Sequence, residues 1–337
     1  MSEANAIEAV ELRKSYGEEV QALDGLSFSV PAGTVFGLLG PNGAGKSTTV
    51  KILTTLAHPD GGSAKVAGHD VLGEPALVRE SIGVVSQAGG LDREATGREN
   101  LRLQGQVFGM GGRELERRID ELLEQFRLTD AGNRLVREYS GGMQRRLDVA
   151  QGLVHRPQVL FLDEPTTGLD PEVRAEMWDE ISRLSGAGLT VLLTTHYLEE
   201  ADQLAAQLAI VDKGRVVAEG SPDALKRELR GDAIHIELGT ETGGEAAVRE
   251  ALARVDGLDQ IIYDDNRLLH ARAEDGARTV PAVLAALDGA DLEVAAVTVA
   301  RPSLDDVYLR FAGRTFGEAE SDGDGPSRTD KKEEAAR

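Results

Sequence analysis

Hydrophobic positions in the first part of the chain alternate with polar ones. Residues 7–12 and 26–30 show the two-residue period of half-buried strands, and Pro31-Ala32-Gly33 turns the chain toward a third strand at 35–39. The first two predict a small antiparallel sheet; the third feeds a glycine-rich loop and a helix over 47–56. From residue 97 to 156 the period lengthens to that of helices, carried by Leu101, Val107, Phe108, Leu115, Ile119, Leu122, Leu123 and Phe126. This predicts a helical insertion over about residues 90–157. Strand and helix signals then alternate at 159–162, 171–184, 190–194, 197–204, 207–211 and 215–218, which implies a largely parallel sheet with crossover helices.

A second unit starts near Gly231. Strand-like segments at 233–238, 260–263, 268–273 and 292–299 alternate with helical ones at 245–255 and 280–287, the order βαββαβ of a ferredoxin-like α+β module. A turn falls on Asp264-Asp265-Asn266-Arg267, and residues 303–311 read as a closing helix. The expected organisation is an α/β domain over 5–230, a regulatory or assembly domain over 231–316, and a charged tail without fixed structure over 317–337.

Composition narrows the function classes. A chain of 337 residues with 41% hydrophobic residues supports about two domains. No apolar run approaches the roughly 18 residues of a membrane helix, so a membrane role is expected to be peripheral. The N-terminus has neither the basic start nor the apolar block of a signal peptide, which predicts a cytoplasmic chain. The absence of cysteine agrees with that and excludes disulfides and thiolate metal sites. A formal charge of −21 argues against nucleic-acid partners, since a polyanion must be met by clustered Lys and Arg.

Gly40-Pro41-Asn42-Gly43-Ala44-Gly45-Lys46-Ser47-Thr48 is a complete P-loop with a strand before it and a helix after it. Its glycines let backbone N–H groups surround phosphate, Lys46 reaches the β/γ oxygens of a bound nucleotide, and Ser47 ligands magnesium, which makes the first domain a nucleotide-binding one. Asp163 ends the apolar strand 159–162 and is placed to hold Mg2+ through water, while Glu164 can polarise the attacking water. His196 follows the strand 190–194. The other five histidines, His58, His69, His155, His235 and His270, show no ligand spacing and are expected to be structural.

With Tyr139-Ser140-Gly141-Gly142-Met143-Gln144 upstream of the Asp163-Glu164 strand, residues 7–229 resemble the ABC ATPase family, every motif in order. The resemblance implies a P-loop NTPase core of ABC type with an antiparallel β subdomain and a helical insertion. It further implies that Tyr16 stacks on adenine, and that Gln87 touches magnesium or its water and faces a transmembrane partner. Ser140, Gly141 and Gly142 would contact the γ-phosphate of an ATP held by a second copy. Asp170, after Gly168-Leu169, would lie on the loop that crosses the dimer interface, and His196 would contact the γ-phosphate. Tyr139, where leucine is usual, and the extra Met143 before Gln144 depart from the family pattern but leave Ser140 and the two glycines in place.

The C-terminal module, closing on Arg301-Pro302-Ser303-Leu304-Asp305-Asp306-Val307-Tyr308-Leu309, resembles the daunorubicin-resistance type of ATPase subunit. That implies a homodimer of nucleotide-binding subunits on the cytoplasmic face of the cell membrane, attached to a separate transmembrane permease that exports an amphipathic drug. Lipid, polysaccharide or peptide cargo is the alternative within that class. A soluble ABC ATPase acting on ribosomes or nucleic acid would call for tandem nucleotide domains or a long coiled coil, plus basic patches, and a P-loop kinase or GTPase would lack Ser140-Gly141-Gly142 and His196.

Overall fold

The structure is a computed structural model that describes residues 5–17, 20–239, 245–253, 255–263 and 268–323. Strands β1 (Asn5–Tyr16) and β2 (Val20–Pro31) pair antiparallel, with Ile7 opposite Val30 and Leu12 opposite Leu26. Both extend past the alternating segments seen in the sequence. Strand β3 (Val35–Leu39), buried at all five positions, runs to the glycine-rich loop and helix α1 (Lys46–Leu53). Then β4 (Gly61–Val66) and β5 (His69–Asp70) add to the β1 side, giving the order β2-β1-β4-β5.

Helix α2 (Pro75–Ser81) precedes β6 (Ile82–Val85), and the helical insertion follows as α3 (Gly97–Val107), α4 (Gly112–Gln125) and α5 (Gly141–Gly152). The α/β pattern resumes with β7 (Val159–Asp163), α6 (Pro171–Gly186), β8 (Thr190–Thr195), α7 (Leu198–Leu204), β9 (Gln207–Asp212) and β10 (Arg215–Gly220). These strands form one sheet of order β10-β9-β3-β8-β7-β6, parallel except for β10. Its alternate residues feed two cores. Leu160, Leu162, Val191 and Leu193 pack with the helical insertion, and Phe36, Leu38, Phe161 and Leu192 pack with the antiparallel sheet. Burial on both faces is why these strands read as continuous apolar runs.

The chain divides into two compact units after Pro222. Helix α8 (Pro222–Glu228) lies at the division, and the second unit builds a sheet from β11 (Asp232–Leu238), β12 (Leu258–Tyr263), β13 (Leu268–Ala273) and β14 (Val294–Ala300). With α9 (Glu245–Leu252) after the first strand and α10 (Gly276–Asp288) after the third, the order is βαββαβ. The sheet order β12-β13-β11-β14, antiparallel throughout, completes the ferredoxin-like arrangement. Ile234, Ile236, Leu269 and Ala271 pack with Val248, Leu252, Val283 and Leu287 of the two helices.

Helix α11 (Leu304–Ala312) closes this unit and starts with a capping box in which Ser303 and Asp306 exchange hydrogen bonds. Beyond it the structure departs from the expected unstructured tail, because α12 (Phe316–Gly323) is helical. Thr315 and Glu318 form a second reciprocal cap, and the Phe316 ring packs edge-on against buried Tyr308, centroids 5.0 Å apart. The rest of the tail and the turn at Asp264-Asp265-Asn266-Arg267 lie outside the described residues.

Candidate functional site

The parallel sheet delivers the chemistry at the C-terminal ends of its strands, where open α/β folds place their ligands. At the end of β3 the glycine-rich loop turns through Gly45, whose φ is 111° and whose missing Cβ would lie 2.6 Å from the Ala22 carbonyl oxygen. No other residue fits that position. Lys46, only 4% exposed, donates from Nζ to the carbonyls of Gly40 at 2.6 Å and Pro41 at 3.0 Å. Its ammonium is thus held within the loop that would surround phosphate.

The end of β7 supplies the acidic groups, and β8 supplies Thr194, which hydrogen-bonds with both of them. The Ser47 hydroxyl lies 3.5 Å from Asp163 Oδ1, which also accepts a hydrogen bond from Thr194 Oγ1 at 2.6 Å. Glu164 takes a left-handed conformation (φ 49°), with its N–H donating to the carbonyl and hydroxyl of Thr194 at 3.2 and 3.1 Å. A non-glycine residue there is strained, and such strain clusters at functional sites. Four side chains converge on its carboxylate: Gln87 Nε2 donates at 3.2 Å and Thr167 Oγ1 at 3.3 Å, while His196 Nδ1 lies at 3.3 Å and Lys46 Nζ at 3.9 Å. The His196 imidazole, with Lys46 adding to it, holds the Glu164 carboxyl below its ordinary value against the opposing effect of burial. The carboxylate is therefore ionised at neutral pH, the form a water-activating base needs.

Oxygen donors from Ser47 and Asp163 on one side, with the Gln87 amide next to Glu164, suit a small hard cation that keeps several waters. Tyr16, at the end of β1, is 45% exposed and has Lys14 Nζ 5.6 Å from its ring centroid. Lys14 thus stands over one face of the half-exposed ring, a cation–π contact.

The second glycine turn sits at the start of α5. Ser140 caps that helix by accepting from the Met143 N–H at 3.3 Å, which leaves the N–H groups of Gly141 and Gly142 at the positive helix end. A Cβ on Gly142 would fall 2.6 Å from Val173 Cγ1 of α6, so glycine lets the two helices approach. Asp170 caps that same α6 by accepting from the Val173 N–H at 3.0 Å. Both turns therefore rest on one contact.

Tyr139 is explained by its surroundings. Its ring is 5% exposed within the helical insertion, and its hydroxyl donates to the Ala131 carbonyl at 2.7 Å. The departure from leucine is a packing feature that leaves the turn's backbone as it was. Tyr139→Phe should lower stability by about 1 kcal/mol, read from the urea midpoint, and leave ATP hydrolysis at the wild-type rate.

Arg145 is a residue whose role the sequence does not reveal. Its guanidinium, on an 8% exposed residue, donates from Nε to Pro165 O at 2.7 Å and from Nη1 to Ser86 O at 2.9 Å. Its Nη2 reaches the carbonyls of Asp163 and Glu164, both at 3.2 Å. It joins α5, the segment before Gln87 and the strand end bearing Asp163 and Glu164. The arginine is visible in the sequence; its partners are backbone atoms that only the fold brings together.

Fold and site together define a P-loop ATPase of the ATP-binding cassette class. Residues 23–167 match the family described as ABC transporter, and residues 220–312 match that described as ATP-binding protein DrrA1-3-like, C-terminal domain. The chain is 50% identical over 300 residues to the daunorubicin resistance ATP-binding protein DrrA3 of Streptomyces coeruleorubidus, covering 89% of this chain and 93% of that one. It is 42% identical to the Nod factor export ATP-binding protein I of Sinorhizobium fredii (strain NBRC 101917 / NGR234), covering 92% and 86%. Among solved structures, an ATP-binding subunit of an ABC transporter aligns with TM-score 0.60 at 30% identity over 66% of this chain and 92% of that one. A dimeric ATP-binding cassette in a post-hydrolysis state with ADP and phosphate aligns with TM-score 0.58 at 27% identity, over 64% and 98%. The chain belongs to the family of ABC transporter ATP-binding proteins. As such it binds and hydrolyses ATP as the nucleotide-binding subunit of an exporter.

Proposed function

We propose that two copies of this chain energise the export of an amphipathic antibiotic through a separate membrane permease, from the cytoplasmic face. The observation that carries the hydrolytic part is the convergence of Lys46, Gln87, Thr167 and His196 on the Glu164 carboxylate. In this reading Tyr16 stacks on the adenine, and the loop from Gly40 through Thr48 surrounds the phosphates. Ser47 and Asp163, with Gln87, hold Mg2+, which when bound neutralises charge on the β and γ oxygens. Glu164 accepts a proton from the attacking water, while Lys46 and His196 stabilise charge on the γ-phosphoryl group.

Ser140, Gly141 and Gly142 would complete the γ-phosphate site of the second copy, with Asp170 at the interface. One chain carries one P-loop and one such turn, so two copies form two sites. ATP then clamps the pair, and loss of the γ-phosphate releases it. Arg145 connects α5 to the segment bearing Gln87, giving the permease contact a rigid link to the γ-phosphate. No helix among the described residues is long and apolar enough to cross a membrane, which supports a transmembrane path made by another chain.

The cargo reading rests on identity to daunorubicin-resistance proteins across both units. The Nod factor export relative supports a second reading, export of a different kind of compound through the same machinery. Purification with the membrane protein that accompanies the chain, followed by ATPase assay in lipid with daunorubicin, separates them. Stimulation of several-fold is expected. A complex that hydrolyses ATP yet responds to no amphipathic cation would overturn the drug reading and leave the exporter reading standing.

A further inference from the structure

The histidines of the second unit have no ligand spacing in the sequence, yet antiparallel pairing sets His235 of β11 directly opposite His270 of β13. Both lie on the face of the sheet opposite the one that carries Ile234, Ile236, Leu269 and Ala271, because successive side chains alternate. Helix α11 brings Asp306 to the pair on that face. His235 Nε2 is 3.3 Å from Asp306 Oδ1, and the two imidazole centroids are 5.0 Å apart, edge to face. One ligand atom from each of His235, His270 and Asp306 lies within 4.8 Å of the other two.

These distances fit a metal. Ligands at about 2.0–2.1 Å around a tetrahedral ion are about 3.3 Å apart. The His235–Asp306 pair has that separation already, and a side-chain adjustment of about 1–1.5 Å would bring His270 to the same spacing. The other oxygen of Asp306, Oδ2, accepts from the N–H of Ser303 at 2.8 Å and from its hydroxyl at 2.7 Å. Oδ1 is thereby aimed at the histidines, as outer-shell hydrogen bonds orient a metal-binding carboxylate. His270 is 8% exposed, whereas the His235 side chain is 28% exposed and leaves an approach from solvent.

We propose that His235, His270 and Asp306 form a binding site for a zinc-class divalent cation that pins α11 to the sheet of the C-terminal unit. Two imidazoles and one carboxylate favour Zn2+, Co2+ or Ni2+ over Mg2+ and Ca2+, which take oxygen donors. Asp305, next in sequence, adds a second carboxyl to the field of the histidines, and Arg272 faces Asp306 with Arg310 and Asp232 beside it. The Arg272 guanidinium is anchored to the carbonyls of Leu229, Arg230 and Gly231.

The test uses the full chain stripped with chelator and kept in excess Mg2+, titrated with zinc chloride while the imidazole nitrogens are followed by NMR. His235 and His270 signals should move to a bound position at one equivalent, with His58, His69 and His155 unmoved. Calorimetry should give one site, and Co2+ should show the visible bands of a tetrahedral ion. His270→Asn should weaken zinc binding by at least about 10–100-fold, since disturbing an outer-shell partner alone costs that much. His235→Gln serves as a second variant should the first fail to fold. Unmoved His235 and His270 signals, a shift of His196 instead, or unchanged affinity in a folded variant would overturn the site.

Discussion

Replacing Glu164 with glutamine should reduce ATP turnover by about 10²–10⁴-fold, the range lost with a positioned general base, while nucleotide binding persists. The amide keeps the side chain's shape, so Thr167 and Gln87 can still donate to its oxygen, as they do to Glu164 Oε2 at 3.3 and 3.2 Å. What disappears is the negative charge 3.9 Å from Lys46 and 3.3 Å from His196. Its removal leaves more positive potential facing the phosphates, so ATP should bind at least as tightly as in the wild type. Binding without hydrolysis should accumulate the two-copy state: size-exclusion chromatography in ATP and magnesium is expected to show a dimer that ADP does not produce. Turnover within about threefold of wild type would remove Glu164 from the role of base, since even the weakest general-base contribution exceeds that. A monomer in ATP with turnover lost would leave the base in place and count instead against the clamp.

The parts of this site that the sequence reveals are those whose geometry is local. The loop from Gly40 to Lys46 builds its own cradle, with Lys46 bonded to carbonyls five and six residues away. Strand β7 announces itself because burial on both faces demands an unbroken apolar run before Asp163. Contacts made by backbone groups distant in sequence leave no such trace. Arg145 bonds to carbonyls 18, 19, 20 and 59 residues away, and nothing in a carbonyl's residue type says it will be an acceptor.

His235 and His270 are hidden for a related reason, since the register of β11 on β13 sets their spacing. The short strands β4 and β5 carry a weak signal too, as Gly61-Gly62-Ser63 starts a half-exposed edge with little apolar periodicity. Helix α12 is different. The pattern Thr315-Phe316-Gly317-Glu318 is a capping box legible in the sequence, and the acidic, glycine-containing composition after it concealed a local start signal.

Arg145→Met should cost about 3–5 kcal/mol of stability, the range for removing one partner from a buried charged network. Methionine fills much of the volume of the arginine stem, so the loss comes from polarity more than from a cavity. The carbonyls of Ser86, Asp163, Glu164 and Pro165 each lose a charge-assisted donor in a place where water has little access. Burial lowers the pKa of the guanidinium, while Asp148, Asp163 and Glu200 oppose that change. Removing the cation would therefore leave these carboxylates less compensated. Arg145→Lys should recover only a minor share, because one ammonium cannot span carbonyls that the planar fork reaches from three nitrogens. The functional effect follows from what those carbonyls belong to. With the segment before Gln87 and the strand end at Glu164 no longer joined to α5, maximal ATP turnover should fall more than the affinity for ATP, because Lys46 and the P-loop do not bond to Arg145. Thermal unfolding and ATPase assays on the folded fraction would check both parts. A variant as stable as wild type would refute the buried network, and one that is destabilised yet fully active when folded would confine Arg145 to a structural role.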